Sequence, residues 1–291
     1  MVEIVESFLM SRKGMFDGGE DRLITGPNFF GVCDGVPDKT GLSWGEKPSS
    51  NGGGGFALSD LVKGFFESEE SHGIAPEKAV DLLSKKVRDA AAKSGVDLSV
   101  PHDRAAVGFM AYNAQKREIW HVGGVSYGTL DSKGAFRQHR FDAPVDRLMG
   151  KVRAAVSDWY IKEGGDPFEG GRDRGREFIE PFLRRQVELQ NLEVKSDEVW
   201  LPGIPKRMVS FRVINGFPTK ISVFSVPLDI LELTFATDGL GAIRPSWDLT
   251  RKAWLKHLRV DPHHIHLIKA TKGLMPGNKS FDDIAYIRIR L

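Results

Sequence analysis

Residues 29–35 read Phe-Phe-Gly-Val-Cys-Asp-Gly, an apolar run that ends abruptly on a carboxylate and a turn residue. A carboxylate at the end of a buried strand is costly unless it is paired, hydrogen-bonded or bound to a cation. The same arrangement recurs downstream. Leu231-Glu232-Leu233-Thr234-Phe235-Ala236-Thr237 runs into Asp238-Gly239, and Asp282-Asp283 opens the apolar run Ile284-Ala285-Tyr286-Ile287. Taken singly, Asp-Gly is a common turn dipeptide, because both residues favour turns. Three such places, distant in sequence and all at strand ends, can instead converge on one hard cation, with Glu20-Asp21 as a fourth contributor. Carboxylate, carbonyl and water oxygens suit Mg²⁺ or Mn²⁺ better than softer metals.

Outward from residues 29–35 the element signals follow a definite order. Apolar and β-branched residues fill 2–10 and 20–34, the second stretch broken by the turn Gly26-Pro27-Asn28. Residues 35–55 form a Gly/Pro/Ser-rich loop, and helices are predicted over 57–68 and 76–94, where apolar residues recur at helical spacing. Strands return at 105–112 and 117–130, as a hairpin around Asn113-Ala114-Gln115. Two more helices are predicted at 144–162 and 175–192, the second interrupted by Pro181. Strand patterns follow at 207–214, 219–225 and 228–237, then a helix near 246–258 and a closing strand at 282–291. Strands, helices and strands grouped this way predict an α+β layout with antiparallel sheets, not the alternation of a parallel fold.

Composition narrows the functional classes. The chain of 291 residues has 41% hydrophobic and 27% charged residues, enough to fill a sizeable core. A formal net charge of +2 predicts neither nucleic-acid binding nor attraction to an acidic membrane. The lone Cys33 excludes an intramolecular disulfide, and its apolar strand predicts a buried core residue rather than a nucleophile. The first residues lack a basic region followed by a long apolar one, and no run approaches the length of a membrane helix. The expectation is a cytoplasmic protein without a membrane or nucleic-acid partner.

Glu20-Asp21 followed by FFGVCDG (29–35), TFATDGL (234–240) and GNKSFDDIAYIRI (277–289) resembles the metal-site framework of the metal-dependent (PPM, type-2C) serine/threonine protein phosphatases, in a divergent bacterial form. The likeness runs from about Ser11 to Leu291. It implies a PPM-phosphatase-like sandwich of two antiparallel β-sheets flanked by α-helices, a single domain over 1–291 with a helical insertion around 144–192. It also implies that Asp34 bridges two Mg²⁺ or Mn²⁺ ions, that the Gly35 carbonyl binds one, and that Asp238 and Asp282 bind the other. Glu20 and Asp21 would act through water, and Asp283 stands where the family often has Asn. Asp34, Asp238 and Asp282 would then support attack of an activated water on a phosphoserine, a phosphothreonine or a smaller phosphomonoester.

Departures from the pattern concern the substrate rather than the metal. The family's phosphate-gripping Arg is replaced by Phe16, leaving Arg12, Lys13 or Arg22 to substitute. Val36 stands where many members have a His, and Gly123-Gly124-Val125-Ser126 lacks an Asp associated with a third metal. The run Arg172, Arg174, Arg176, Arg184 and Arg185 is either a solvated helix face or the source of the missing phosphate contacts. GLSWGEK (41–47) with the glycines at 52–55 lacks the spacing of a phosphate loop, and Asp261-Pro262-His263-His264-Ile265-His266 reads as a turn before it reads as a transition-metal site. Two classes therefore remain: a metal-dependent phosphatase, and a catalytically weak protein of that fold which binds a regulatory partner.

Overall fold

The computed structural model describes residues 1–16, 19–42, 44, 53–193 and 198–291. The N-terminal apolar runs form β1 (Glu3–Met10), β2 (Arg22–Thr25) and β3 (Phe29–Val36). The turn at Gly26-Pro27-Asn28 is closed by the Gly26 amide donating to the Phe29 carbonyl at 2.9 Å. Helices α1 (Gly54–Glu67) and α2 (Pro76–Lys93) follow, with Pro76 in the first turn, where its missing N–H leaves no intrahelical bond unmade. Part of the phosphate-loop look-alike, residues 43, 45–47 and 52, lies outside the described residues, as does Asn51.

β4 (Ala106–Asn113) and β5 (Glu118–Val122) make the expected hairpin, its turn fixed by Asn113 Oδ1 accepting from the Gln115 and Lys116 amides. The single strand expected over 117–130 is instead two. The chain leaves β5, bends at Gly123-Gly124 and resumes as β6 (Ser126–Asp131) in the other sheet. Gly123 has φ +100°, and a Cβ there would lie 2.6 Å from the Gly108 Cα, so the crossing requires glycine. β7 (Phe136–His139), which no sequence pattern announced, extends β6 at the sheet edge.

α3 (Pro144–Lys162) and α4 (Arg174–Arg185) occupy the predicted helical segment, which adds a short 3₁₀ turn at Gln186–Leu189. Pro181 does not end α4: it sits on the exposed side, where water can serve the Glu177 carbonyl that lacks its helical donor. After the small pair β8 (Val199–Leu201) and β9 (Ile204–Pro205), the strand expected over 207–214 begins as a one-turn helix, α5 (Lys206–Val209). Its apolar residues serve two different cores. Val209 packs with α3 and α4, whereas Ile214 bridges to Val107 beneath α1, so no single sheet face organises the segment. β10 (Ser222–Ser225), β11 (Ile230–Ala236), α6 (Trp247–Val260) and β12 (Ile284–Arg290) complete the chain. Ser246 caps α6 by accepting from the Leu249 amide.

Two five-stranded antiparallel sheets result, ordered β1-β12-β11-β6-β7 and β10-β5-β4-β3-β2. Val32, Met110 and Tyr112 from one meet Leu233, Phe235, Ala285 and Ile287 from the other. α1 and α2 cover the outer face of the second sheet, over Phe29, buried Cys33 and Trp120, while α6 covers the first over Ala236 and Tyr286. Along β3 side chains alternate, Phe29 and Cys33 toward the helices and Val32 toward the facing sheet. Asp34, two residues past Val32, therefore shares the inter-sheet side. This is the antiparallel α+β layout that the element order predicts, in the two-sheet sandwich that the resemblance implies. Among the described residues no helix is long and apolar enough to cross a membrane.

β3 and β4 approach so closely at Gly31 that a Cβ there would lie 2.0 Å from the Met110 carbonyl oxygen. Gly31→Ala should destabilise the fold by about 1–3 kcal/mol through forced strand separation, read as a lower midpoint in urea unfolding with an unchanged slope.

Candidate metal centre

Strand ends bring the acidic residues together. In the β2–β3 pair Arg22 lies opposite Cys33, so Asp21 and Asp34 leave the ladder side by side. In the β11–β12 pair the Thr237 amide donates to the Ala285 carbonyl at 3.0 Å, and the Ala285 amide donates to the Thr237 hydroxyl at 2.9 Å. That lock sets Asp238 next to Asp282 and Asp283. Gly239 makes the close approach possible, since a Cβ there would lie 2.1 Å from the Asp283 carbonyl oxygen. Gly35 is equally constrained, its missing Cβ pointing between the Gly55 and Glu20 carbonyls at 2.4 and 2.6 Å. Glu20 reaches toward the start of α1, its Oε1 2.9 Å from where a Gly55 Cβ would stand.

The electrostatics follow from that crowding. Desolvation and then the charges of Asp283 and Asp282 push Glu20 up to about 7. Desolvation and the neighbouring Asp282 push Asp238 up to about 7 as well. Asp238 reaches solvent at the rim, where the neighbouring Asp282 still opposes its charge. Asp34 is raised by desolvation, Asp238 and Asp282, and Asp21 by desolvation and Asp34. Asp21 is 3% exposed and its Oδ2 has no hydrogen-bond partner among the described residues. Such a set lacks positive charge, and its oxygen donors suit a hard divalent cation. Among the described residues no three acidic or imidazole side chains already close around a common point as a ligand group. A lysine ammonium, Lys272 Nζ, instead stands against Asp282.

Other candidates separate by their contacts. Asp283 is spent on structure, accepting from the Arg12 amide at 2.7 Å and the Glu20 amide at 2.8 Å. Phe16 is 77% exposed and meets Phe8 edge to face. Arg22 cannot replace the missing clamp, because it is buried on Asp60, the Gly19 and Asp21 carbonyls and the Phe56 ring. Arg12 and Lys13 are exposed beside the cleft entrance. In the arginine run, Arg172 and Arg174 pair with Glu177, Arg184 with Glu180 and Arg185 with Glu188, a solvated ion-pair face. Arg176 alone of the run turns to the Thr271 carbonyl, at 3.0 Å. Asp261 organises the histidine turn by accepting from the Ile265, His266 and Leu267 amides.

Sequence patterns missed two cations and their scaffold. Lys39 follows Asp34 by five positions, and Lys272 lies in an irregular segment before β12; neither interrupts a periodic run, so neither gave a signal. Behind them Arg153 and Asp173, 0% and 3% exposed, form a two-pronged ion pair with Nη2–Oδ2 at 2.7 Å. Asp173 also accepts from the Arg176 amide as the α4 cap and from the Gly273 amide, while Arg153 Nη1 donates to the His263 carbonyl at 2.8 Å. One buried pair thereby fixes α4 and the Lys272 segment together.

No family model and no curated protein sequence matches the chain. The solved structures it resembles include serine/threonine phosphatases. That of Mycobacterium tuberculosis PstP/Ppp is 13% identical, with 100% of this chain and 98% of that one covered, at a TM-score of 0.47. The catalytic domain of PstP in complex with two manganese ions is 11% identical, with 100% and 99% covered and a TM-score of 0.47. Stp1 from Staphylococcus aureus is 11% identical, with 100% and 94% covered and a TM-score of 0.48. At these values the functional reading rests on the residues of this chain.

Glu20 and Asp238 carry protons in the folded metal-free protein up to about pH 7, but only to about 4.5 and 3.8 when unfolded. Between those limits the folded state binds more protons, so its stability falls as pH rises. Thermal unfolding in a chelator should show a melting temperature that declines from roughly pH 4.5 to 7. Glu20→Gln and Asp238→Asn should flatten that decline, and added Mg²⁺ should raise the melting temperature at the upper end. Separately, Arg153→Met leaves Asp173 buried and unpaired, which should cost about 3–5 kcal/mol in chemical denaturation.

Proposed function

We propose that this protein is a Mg²⁺- or Mn²⁺-dependent phosphomonoesterase acting on phosphoserine or phosphothreonine in proteins, the whole chain serving as one catalytic domain. The observation that carries the reading is that the β2–β3 pair sets Asp21 beside Asp34 and the Thr237–Ala285 lock sets Asp238 beside Asp282, where burial first and neighbouring carboxylates second push Glu20, Asp21, Asp34 and Asp238 up. Bound divalent cations supply acidity to water and neutralise charge on a phosphoryl group. Asp34, on the inter-sheet side of β3, would hold such cations together with the Gly35 carbonyl, Asp238 and Asp282. Glu20 and Asp21, whose buried Oδ2 has no partner among the described residues, would orient water in the cleft. Asp283 keeps the β1–β2 connection in place through the Arg12 and Glu20 amides.

A second reading has its own support. Phe16 offers no charge to a phosphate, and Lys272 already accompanies Asp282, which fits a catalytically weak protein whose cleft serves partner binding. Hydrolysis of a chromogenic aryl phosphate with Mn²⁺ separates the two. Under the first reading Asp34→Ala and Asp238→Ala each lower turnover by about a hundredfold or more, and Asp34→Ala also loses Mn²⁺ binding by calorimetry. Absent turnover, or turnover unchanged in both variants, favours the second.

A further inference from the structure

We propose that Lys39, Arg176 and Lys272 form an anion clamp at the mouth of the carboxylate cleft, which grips the phosphoryl group of the substrate in place of the arginine missing at Phe16. The inference rests on the phosphatase reading for its ligand but on separate residues for its site.

The three cations come from distant segments that the fold holds together. Lys39 follows β3, with its amide donating to the His102 carbonyl at 2.8 Å, and its neighbour Asp38 accepts from the Thr40, Gly41, Leu42 and Gly54 amides. That carboxylate nails the lysine's loop to the start of α1, beside Glu20. Arg176 stands in the first turn of α4 and Lys272 in the segment before β12. The Arg176 guanidinium donates to the carbonyl of Thr271, the residue before Lys272. His264 is held neutral by burial, so its Nδ1–H donates to the Lys272 carbonyl at 3.0 Å. Asp173 fixes the amides of both Arg176 and Gly273. These are built positions, not loose surface side chains.

Charge then points to an anion. Arg172, Arg174, Arg184 and Arg185 all have carboxylate partners, yet neither Lys39 nor Arg176 makes an ion pair among the described residues. Burial, and then the charges of Arg176 and Lys272, hold Lys39 below its usual value, whereas Asp282 and Asp238 raise Lys272 against burial and against Arg176. Asp146 faces them from α3, but its side chain accepts from Gln186 and makes no direct contact with any of the three. Two cations without an ion-pair partner among the described residues, Lys39 and Arg176, together with Lys272 on Asp282, complement a dianion beside a cleft for divalent metal, with charge-assisted hydrogen bonds to its free oxygens. The position that the sequence resemblance assigns to an arginine is meanwhile filled by an exposed phenylalanine turned onto Phe8.

Calorimetric titration of inorganic phosphate into the Mg²⁺-saturated full chain tests the clamp. Lys39→Met and Arg176→Met should each weaken phosphate binding by about tenfold, the scale of one charge-assisted contact. Mg²⁺ affinity should stay at the wild-type value in both and the melting temperature in Lys39→Met, Arg176→Met also losing its hydrogen bond to the Thr271 carbonyl, and Arg184→Met, on the solvated face, should bind phosphate normally. Arg176→Lys, which keeps the charge, should recover part of the loss and guards against a mere folding defect in Arg176→Met. Phosphate binding that is absent in the wild type, or equal to wild type in both methionine variants, overturns the clamp. Failure of the phosphatase reading looks different: Mg²⁺ binding that survives Asp34→Ala, whatever phosphate does. A Michaelis constant raised equally for aryl phosphate and a phosphoserine peptide would further support a grip on the phosphoryl group itself; a change confined to the peptide would overturn it.

Discussion

Like charges held at one end of a β-sandwich are the constraint around which the molecule is arranged. Asp21, Asp238 and Asp282 flank the ends of strands, Asp34 lies within β3 two residues before its end, and each strand is fixed by apolar alternation between helices and facing sheet. Asp34 is carried to the inter-sheet end by the same period of two that buries Val32 and sends Cys33 to the helices. Asp238 is carried there by the Thr237–Ala285 lock. None of these positions can relax away from its neighbours without breaking a ladder. The carboxylates therefore respond by taking up protons or by attracting cations, and Lys272 is the cation that the chain itself supplies.

Glycines make this crowding geometrically possible. Gly35 and Gly239 lie where backbone carbonyls of other segments come within bonding range of any added carbon. In both cases the glycine directly follows a site carboxylate, so the Asp-Gly dipeptide has a packing reason beyond its turn propensity. The same logic applies at Gly123, where the chain passes from one sheet to the other.

Asp34, Asp238 and Asp282 stand out in the sequence because a charge set against an apolar run violates the local pattern, and violations of pattern are informative. The antiparallel α+β layout was legible from the order of the elements, and the sandwich from the likeness of the acidic motifs to a known framework. What escaped was carried by tertiary contact alone. The run 117–130 reads as one strand, since nothing in Gly123-Gly124 announces that β5 and β6 belong to different sheets. The run 207–214 reads as a strand because Val209, Val213 and Ile214 are apolar, yet they face separate cores. Pro181 reads as a break, although its exposed side tolerates the lost hydrogen bond. Lys39 and Lys272 are ordinary polar residues in irregular segments, and only the fold brings them to the cleft.

The Lys272–Asp282 contact sets two demands against each other. A divalent cation and an ammonium compete for the same carboxylate oxygens, and Lys272 opposes the rise in the pKa of Asp34, Asp238 and Glu20 as well. Its charge therefore stabilises the carboxylates of the cleft in the metal-free protein. Under the proposed function, a divalent cation held by Asp282 would compete with that ammonium, while the Lys272 backbone stays pinned through His264. An ammonium released from Asp282 would then be available to an arriving phosphoryl dianion. Metal binding and substrate binding would in this way be linked through one lysine, a weaker hold on the first ion being the cost of a stronger hold on the substrate.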